Sequence, residues 1–197
     1  IVDPLGKLDC CLVTDGGAAV VMTRSDRAKD TKNTPIYLLG AAMEHHHRMI
    51  SEMPDLLRTS AIESGERAFS MSGYKPNDMS TIQLYDAFTI NTLLFLEDLG
   101  FCKKGEAKEL VKNNNIGPAG NLKVNTNGGG LSCVHPGMYG LFVTLEALRQ
   151  LRNASGDDVG KRLDGGWIDN AKLSVAHGNG GVLSSQVTNI WGVSDTL

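Results

Sequence analysis

His135 lies near the end of the stretch Val124-Asn125-Thr126-Asn127-Gly128-Gly129-Gly130-Leu131-Ser132-Cys133-Val134-His135-Pro136-Gly137, and His177 opens His177-Gly178-Asn179-Gly180-Gly181. An imidazole titrates near pH ~6.5, so it holds or releases a proton under physiological conditions. Glycines beside it let a backbone approach a ligand or another segment with no Cβ in the way. Tyr85, in Tyr85-Asp86-Ala87-Phe88, and Tyr139, just after His135, add hydroxyls. A phenol with an ordinary pKa of ~10 donates at neutral pH rather than acting as a base. Such a set suits proton transfer beside an oxyanion, which needs donors already in place.

The elements that must position these groups alternate along the chain. Asp15-Gly16-Gly17 signals a turn into Ala18–Met22, an apolar run that predicts a buried strand, and Pro35 introduces a second over residues 36–43. Pro54 is expected to open a helix with Leu57, Ala61, Ser64, Ala68 and Met71 on one face and Gly73 at its end. A strand over Thr81–Tyr85 is followed by a helix over Phe88–Leu99 that Gly100 stops, then by a brief charged helix over Gly105–Asn113 and a loop over Asn113–Gly120. Pro136 suits a first helical position, and Met138, Leu141, Phe142, Leu145, Leu148 and Leu151 recur at helical spacing. His135 is therefore expected at a strand-to-helix junction, where free amides favour anionic groups. After a polar connection over Ser155–Gly166, two strands, Ala171–Ala176 and Val182–Ile190, close the chain around a tight Gly178–Gly181 turn. They are too close for a helical crossover and should be antiparallel. The pattern predicts an α/β layered fold on a mostly parallel sheet, with ligands gathering beyond the carboxyl ends of strands.

Composition narrows the function. The 197 residues suffice for a substantial core, with 41% apolar and 21% charged residues. A net charge of −3 with no basic block argues against a nucleic-acid partner. No apolar run approaches the ~20 residues of a membrane span. Cys10, Cys11, Cys102 and Cys133 lack metal-ligand and disulfide-framework spacing, and read as reduced, buried thiols in a reducing, cytoplasmic setting. His45-His46-His47 point alternately on an extended segment, so no metal site is expected. The glycine run is not followed by Lys-Ser or Lys-Thr, which excludes a phosphate loop. The chain opens without a methionine and within a dozen residues reaches a buried-looking strand, which suggests a piece of a longer polypeptide.

Taken together, four stretches resemble the carboxy-terminal half of the thiolase superfamily, most closely its branch of sterol-carrier-protein-type thiolases and steroid side-chain aldolases. Asp15-Gly16-Gly17-Ala18-Ala19 is similar to the turn into the last strand of the amino-terminal half. Tyr85-Asp86-Ala87-Phe88 falls where thiolases carry Asn-Glu-Ala-Phe and the sterol-carrier branch His-Asp-Cys-Phe. Asn125-Thr126-Asn127-Gly128-Gly129 through His135-Pro136 resembles the Asn-x-Asn-Gly-Gly…Gly-His-Pro pattern, the most specific of the four. His177-Gly178-Asn179-Gly180-Gly181 falls at the closing glycine-rich turn, where thiolases have Cys-x-Gly-Gly-Gly.

The resemblance implies residues 1–34 as the tail end of the amino-terminal half and residues 35–197 as the carboxy-terminal domain, a five-stranded, mostly parallel mixed sheet flanked by helices. It implies an acyl-coenzyme A substrate, with coenzyme A entering only as part of that substrate and no other cofactor. It further implies a homodimer or larger assembly, and relatives that work with a small accessory acyl-coenzyme A-binding subunit. By position, His135, Tyr85, Tyr139 and His177 become catalytic candidates, and Asn127, Gly128, Gly129, Gly178, Gly180 and Gly181 substrate-binding ones.

The departures matter equally. None of the four cysteines occupies a nucleophile's pattern, and Ala176-His177 stand where the closing acid/base cysteine would be. His177 is either its replacement or a structural turn histidine. Tyr85 and Tyr139 are either donors or amphipathic core residues, and Asp86 reads as a structural acceptor rather than a catalytic group. Three functions follow. The first is the carboxy-terminal part of a thiolase-like acyltransferase. The second is a retro-aldol lyase on a β-hydroxyacyl thioester, which needs no cysteine. The third is a non-catalytic acyl-coenzyme A or lipid carrier. For either enzyme, the 197 residues alone are expected to be inactive.

Overall fold

The computed structural model describes residues 1–197 except Pro118, Val134 and residues 163–165. Pro118 of the expected loop, Val134 of the central stretch and residues 163–165 of the polar connection thus lie outside the described residues.

The scaffold is an α/β sandwich. Strand β1 is Tyr37–His45, β2 Thr81–Leu84, β3 Leu173–Gly180 and β4 Ser185–Gly192, in the sheet order β1-β4-β3-β2. β2 and β3 run parallel, whereas β1–β4 and β3–β4 are antiparallel. Among the described residues the sheet is mixed, as expected, with four strands rather than five and one parallel pairing of three. A near-fifth strand does exist beside β2. Ile82 N–H donates to Lys123 O and Asn125 N–H to Ile82 O, each at 2.9 Å. The parallel pairing stops after one bridge, at Val124, because Asn125 turns away at φ 47° and its side chain takes over the ladder, accepting Leu84 N–H at 2.7 Å.

Helix α1 is Ser25–Ala28, α2 Ala61–Ser72, α3 Thr89–Asp98, α4 Ala107–Val111, α5 Gly129–Ser132 and α6 Gly140–Ala154. α2 and α3 cover one face of the sheet and α6 the other. Two neighbouring residues of β3 establish this. The His177 ring packs on Phe95 of α3, while the bare Cα of Gly178 faces Gly140 at the start of α6, and successive strand residues point to opposite faces. α2 approaches β1 closely enough that a Cβ on Gly40 would overlap the Ala68 carbonyl. The core between these layers includes Ile82, Leu84, Phe95, Leu96, Val143, Leu151, Val175 and Ile190.

Three expectations change. Ala18–Met22 forms no strand, and Val21 is 96% exposed; a strand needs a ladder partner, and among the described residues none reaches it. α2 starts at Ala61 rather than at Pro54, so Leu57 stays exposed, though Gly73 ends it as expected at φ 75°. Pro136 does not open α6, which begins at Gly140. Its sheet-facing stripe is Val143, Glu146, Ala147, Gln150 and Leu151. Leu145 and Leu148 instead line an open cleft of about 760 Å³ together with Ala19–Met22 and Ile36–Leu38. The helix carries two apolar stripes, and helical spacing alone does not say which one meets the sheet.

Candidate active site

The site forms where β2 ends. Tyr85 continues the ladder, its N–H donating to His177 O at 3.0 Å, and projects toward the start of α6. There the Tyr139 N–H points at the Tyr85 hydroxyl, 3.4 Å away. The rings of Tyr85, His135 and Tyr139 form one cluster. Tyr85 meets His135 edge-on at 5.3 Å and Tyr139 edge-on at 5.7 Å, while His135 and Tyr139 lie nearly parallel at 6.0 Å. Burial pushes both phenol pKa values up, which keeps the hydroxyls protonated at neutral pH.

His135 joins two helices, α5 and α6, rather than a strand and a helix. Its backbone N–H donates to the Thr14 hydroxyl at 2.9 Å, tying it to the amino-terminal segment. The same segment reaches the far side of Tyr85, where Cys11 N–H donates to Ala87 O at 2.9 Å. Among the described residues, the buried His135 Nε2 has no hydrogen-bond partner. A buried polar atom left unpaired is costly, and a substrate oxygen at that position would remove the cost.

The glycine-rich stretch builds the floor. Asn127 Oδ1 accepts Gly129 N–H at 3.0 Å, and its side chain also bonds Tyr139. Gly128 (φ 91°) and Gly129 (φ 68°) hold left-handed geometry that glycine adopts freely. Asp86, 3% exposed, lies under this turn. It accepts Gly130 N–H at 2.5 Å and points its second oxygen at Leu131 N–H, 3.4 Å away. Burial, against these bonds, pushes its pKa up to about 6.

His177 stands outside this cluster. It is fully buried in β3, with Nε2 2.9 Å from Gln186 Oε1 and Nδ1 2.9 Å from the Thr188 hydroxyl. Gln186 Oε1 can only accept, so Nε2 carries the proton and Nδ1 accepts from Thr188. Burial lowers its pKa to about 4. The expected turn is displaced as well: β3 runs through Gly178 and Gly180, paired with Val187 and Ser185, and only Gly181 (φ 59°) lies in the turn. Gly178, which faces Gly140 at the start of α6, and Gly180 thus belong to the strand rather than to a loop.

Cys10, Cys11 and Cys102 are half-buried and Cys133 is exposed, so none is the fully buried thiol expected. Burial pushes the Cys11 thiol up and that of Cys102 to about 11, which disfavours a thiolate. His45, His46 and His47 engage Ser185, Glu63 and Val182 respectively, in three separate directions. Among the described residues no cluster suits a metal ion.

Sequence reasoning missed the support behind the glycine turn. Gln83 Nε2 donates to the Thr126 hydroxyl at 3.0 Å, and that hydroxyl bonds Glu146. Glu146 is paired with Arg162, whose guanidinium also donates to Thr126 O at 3.0 Å and lies 4.0 Å over the Trp167 ring. The available signal was a carboxylate within the apolar stripe of α6.

The profile for thiolase C-terminal domain-like proteins matches residues 42–193. The chain belongs to that family. The 17-hydroxy-3-oxo-4-pregnene-20-carboxyl-CoA lyase of Mycobacterium tuberculosis is 40% identical to this thiolase-like chain over 166 residues, 81% of the chain and 42% of the lyase. An acetyl-CoA acetyltransferase of Methanothermobacter thermautotrophicus is 31% identical over 193 residues, 97% of the chain and 48% of that protein. Among solved structures, an Ltp2-ChsH2(DUF35) aldolase superposes with a TM-score of 0.83 at 30% identity, over 100% of this chain and 50% of its own. The thiolase-like chain thus spans about half the length of the relatives it matches. Among its described residues no helix is long and apolar enough to cross a membrane.

Proposed function

We propose that the chain is the carboxy-terminal part of a thiolase-superfamily enzyme that cleaves a β-hydroxyacyl-coenzyme A by retro-aldol reaction. The observation that carries this reading is the unpartnered, buried Nε2 of His135 beside the Tyr85 ring. Neutral Nε2 accepts the β-hydroxyl proton. The Cα–Cβ bond breaks, the hydroxyl carbon leaves as a carbonyl, and the bonding pair passes into the thioester as an enolate. The Tyr85 hydroxyl donates to the enolate oxygen, and the imidazolium returns its proton to Cα. Tyr139, 1% exposed, backs the His135 ring instead of touching substrate. His177, with both nitrogens engaged, supports the sheet.

The thiolase-type acyl transfer remains the second reading, favoured by the similarity to an acetyl-CoA acetyltransferase. It calls for a nucleophilic cysteine from outside these residues, since none of the four occupies a nucleophile's pattern and burial raises the Cys11 and Cys102 thiols. The superposed Ltp2-ChsH2(DUF35) aldolase joins two components, which supports an accessory subunit for this protein as well.

The test is turnover by the full-length polypeptide of a β-hydroxyacyl and a β-ketoacyl thioester. Cleavage of the first, lost in His135→Ala, supports the lyase. Cleavage of the second alone supports acyl transfer. Turnover unchanged in His135→Ala rules out the mechanism under either reading.

A further inference from the structure

Asp86 is a buried carboxylate beside the aromatic cluster, and the mechanism above leaves it without a role. Its oxygens face the amides of Gly130 and Leu131, in the first turn of α5. The fit is tight from the other side too, since a Cβ on Gly129 would overlap the carboxylate. A Cβ on Gly130 would stand 3.1 Å from Asp86 Oδ1, 3.2 Å from His135 Cδ2 and 3.4 Å from Tyr139 Cδ1. One small volume above Gly130 is therefore bounded at once by the carboxylate and by both rings. From the amides that Asp86 holds, the chain runs directly through Cys133 to His135 and Tyr139. Asn125 bonds the same carboxylate while its Oδ1 accepts Leu84 N–H, so the anchor is continuous with β2.

We propose that Asp86 is a positioning residue: its carboxylate pins the Gly129–Ser132 turn to the end of β2 and thereby sets where the His135 ring stands relative to Tyr85. The proposal deepens the reading of His135 as the proton-transferring group and rests on that reading for its effect on turnover. A buried anion is a costly way to cap one turn of helix, because a neutral acceptor would satisfy one amide without losing hydration. A carboxylate offers two oxygens and the stronger charge-assisted bonds. Ring placement is where that stiffness matters, since ~1 Å of misplacement can slow catalysis by about 100-fold.

The test uses the full-length polypeptide with Asp86→Asn, which keeps the shape and removes the charge and one acceptor. Three quantities are measured: kcat, KM, and amide hydrogen exchange of the peptide carrying Gly128–Cys133. The expected result is a kcat lower by about 100-fold, a KM within about threefold of wild type, and exchange at Gly130 and Leu131 faster by at least about fivefold. Wild-type kcat with wild-type exchange overturns the proposal. So does loss of kcat with unchanged exchange, because Asp86 would then act on the chemistry and not through the turn. If the wild-type protein turns over neither thioester, the functional reading fails, and the exchange comparison alone decides whether Asp86 holds the turn.

Discussion

The imidazole of His135 meets the phenol of Tyr85 edge-on, with ring centroids 5.3 Å apart and planes at 83°. Fifty residues of sequence separate them, and three contacts bring them together: the Asp86 anchor, the Thr14 hydroxyl and the start of α6. Tyr85→Phe preserves the ring contact and removes only the hydroxyl. Turnover should fall by about 100-fold, as when one oxyanion donor is lost, with stability changed by less than about 1 kcal/mol. Denaturant melts and initial rates on the same preparation check both halves.

Asp86 and His177 give opposing pH dependences. Asp86 has its folded pKa raised from 3.8 to about 6 by burial. Between those values the folded chain keeps a proton that the unfolded chain has lost, so this stabilisation is complete below about 4 and disappears as pH rises through about 6. His177 has its folded pKa lowered from 6.5 to about 4. The unfolded chain takes up a proton first, so stability from this residue is lost as pH falls from about 6.5 to about 4. Each effect is on the order of 3 kcal/mol, and together they nearly cancel. Cys11, His135 and Tyr139 are the titratable groups that face Asp86.

The variants separate the two. Asp86→Asn should abolish the Asp86 gain on acidification and expose the His177 loss. His177→Gln should leave the Asp86 gain visible, so that stability rises as pH falls toward about 4. Urea midpoints at several pH values measure both.

Arg162 is the partner of a buried carboxylate. Arg162→Met leaves Glu146, 3% exposed, with an uncompensated charge, at an expected cost of about 3–5 kcal/mol. Adding Glu146→Gln should recover most of that. Equal stability of the single and double variants, by chemical denaturation, would show that the pair is not coupled.

Gly40→Ala tests the packing of α2 on β1. Its Cβ has no room beside the Ala68 carbonyl, so the helix must shift, with a loss of about 1–3 kcal/mol. A melt like that of wild type would contradict the close approach.

Much of this was legible in the residues. The strand–helix alternation, the antiparallel closing pair and the role of Gly73 follow from local rules that the structure obeys. The glycine-rich stretch pointed to a tight turn beside His135, and the turn is there. What local pattern could not show was pairing. Ala18–Met22 has a strand's composition but no ladder partner among the described residues, and β3 continues through its glycines because Val187 and Ser185 lie opposite. His177 read as either an acid/base replacement or a structural turn histidine, yet its partners, Thr188 and Gln186, lie about ten residues downstream on an adjacent strand. The family pattern placed Tyr85 and His135 together; the Asp86 anchor and the Glu146–Arg162 support needed three-dimensional contacts.

The most direct measurement is exchange of the α-proton of a thioester product with solvent deuterium, catalysed by the full-length polypeptide, in wild type and His135→Ala. Exchange reports enolate formation without needing the second substrate. If His135 moves the proton to and from the α-carbon, wild type incorporates deuterium and His135→Ala does so at least about 100-fold more slowly. Equal incorporation by the two proteins would place that proton on another group and contradict the assignment.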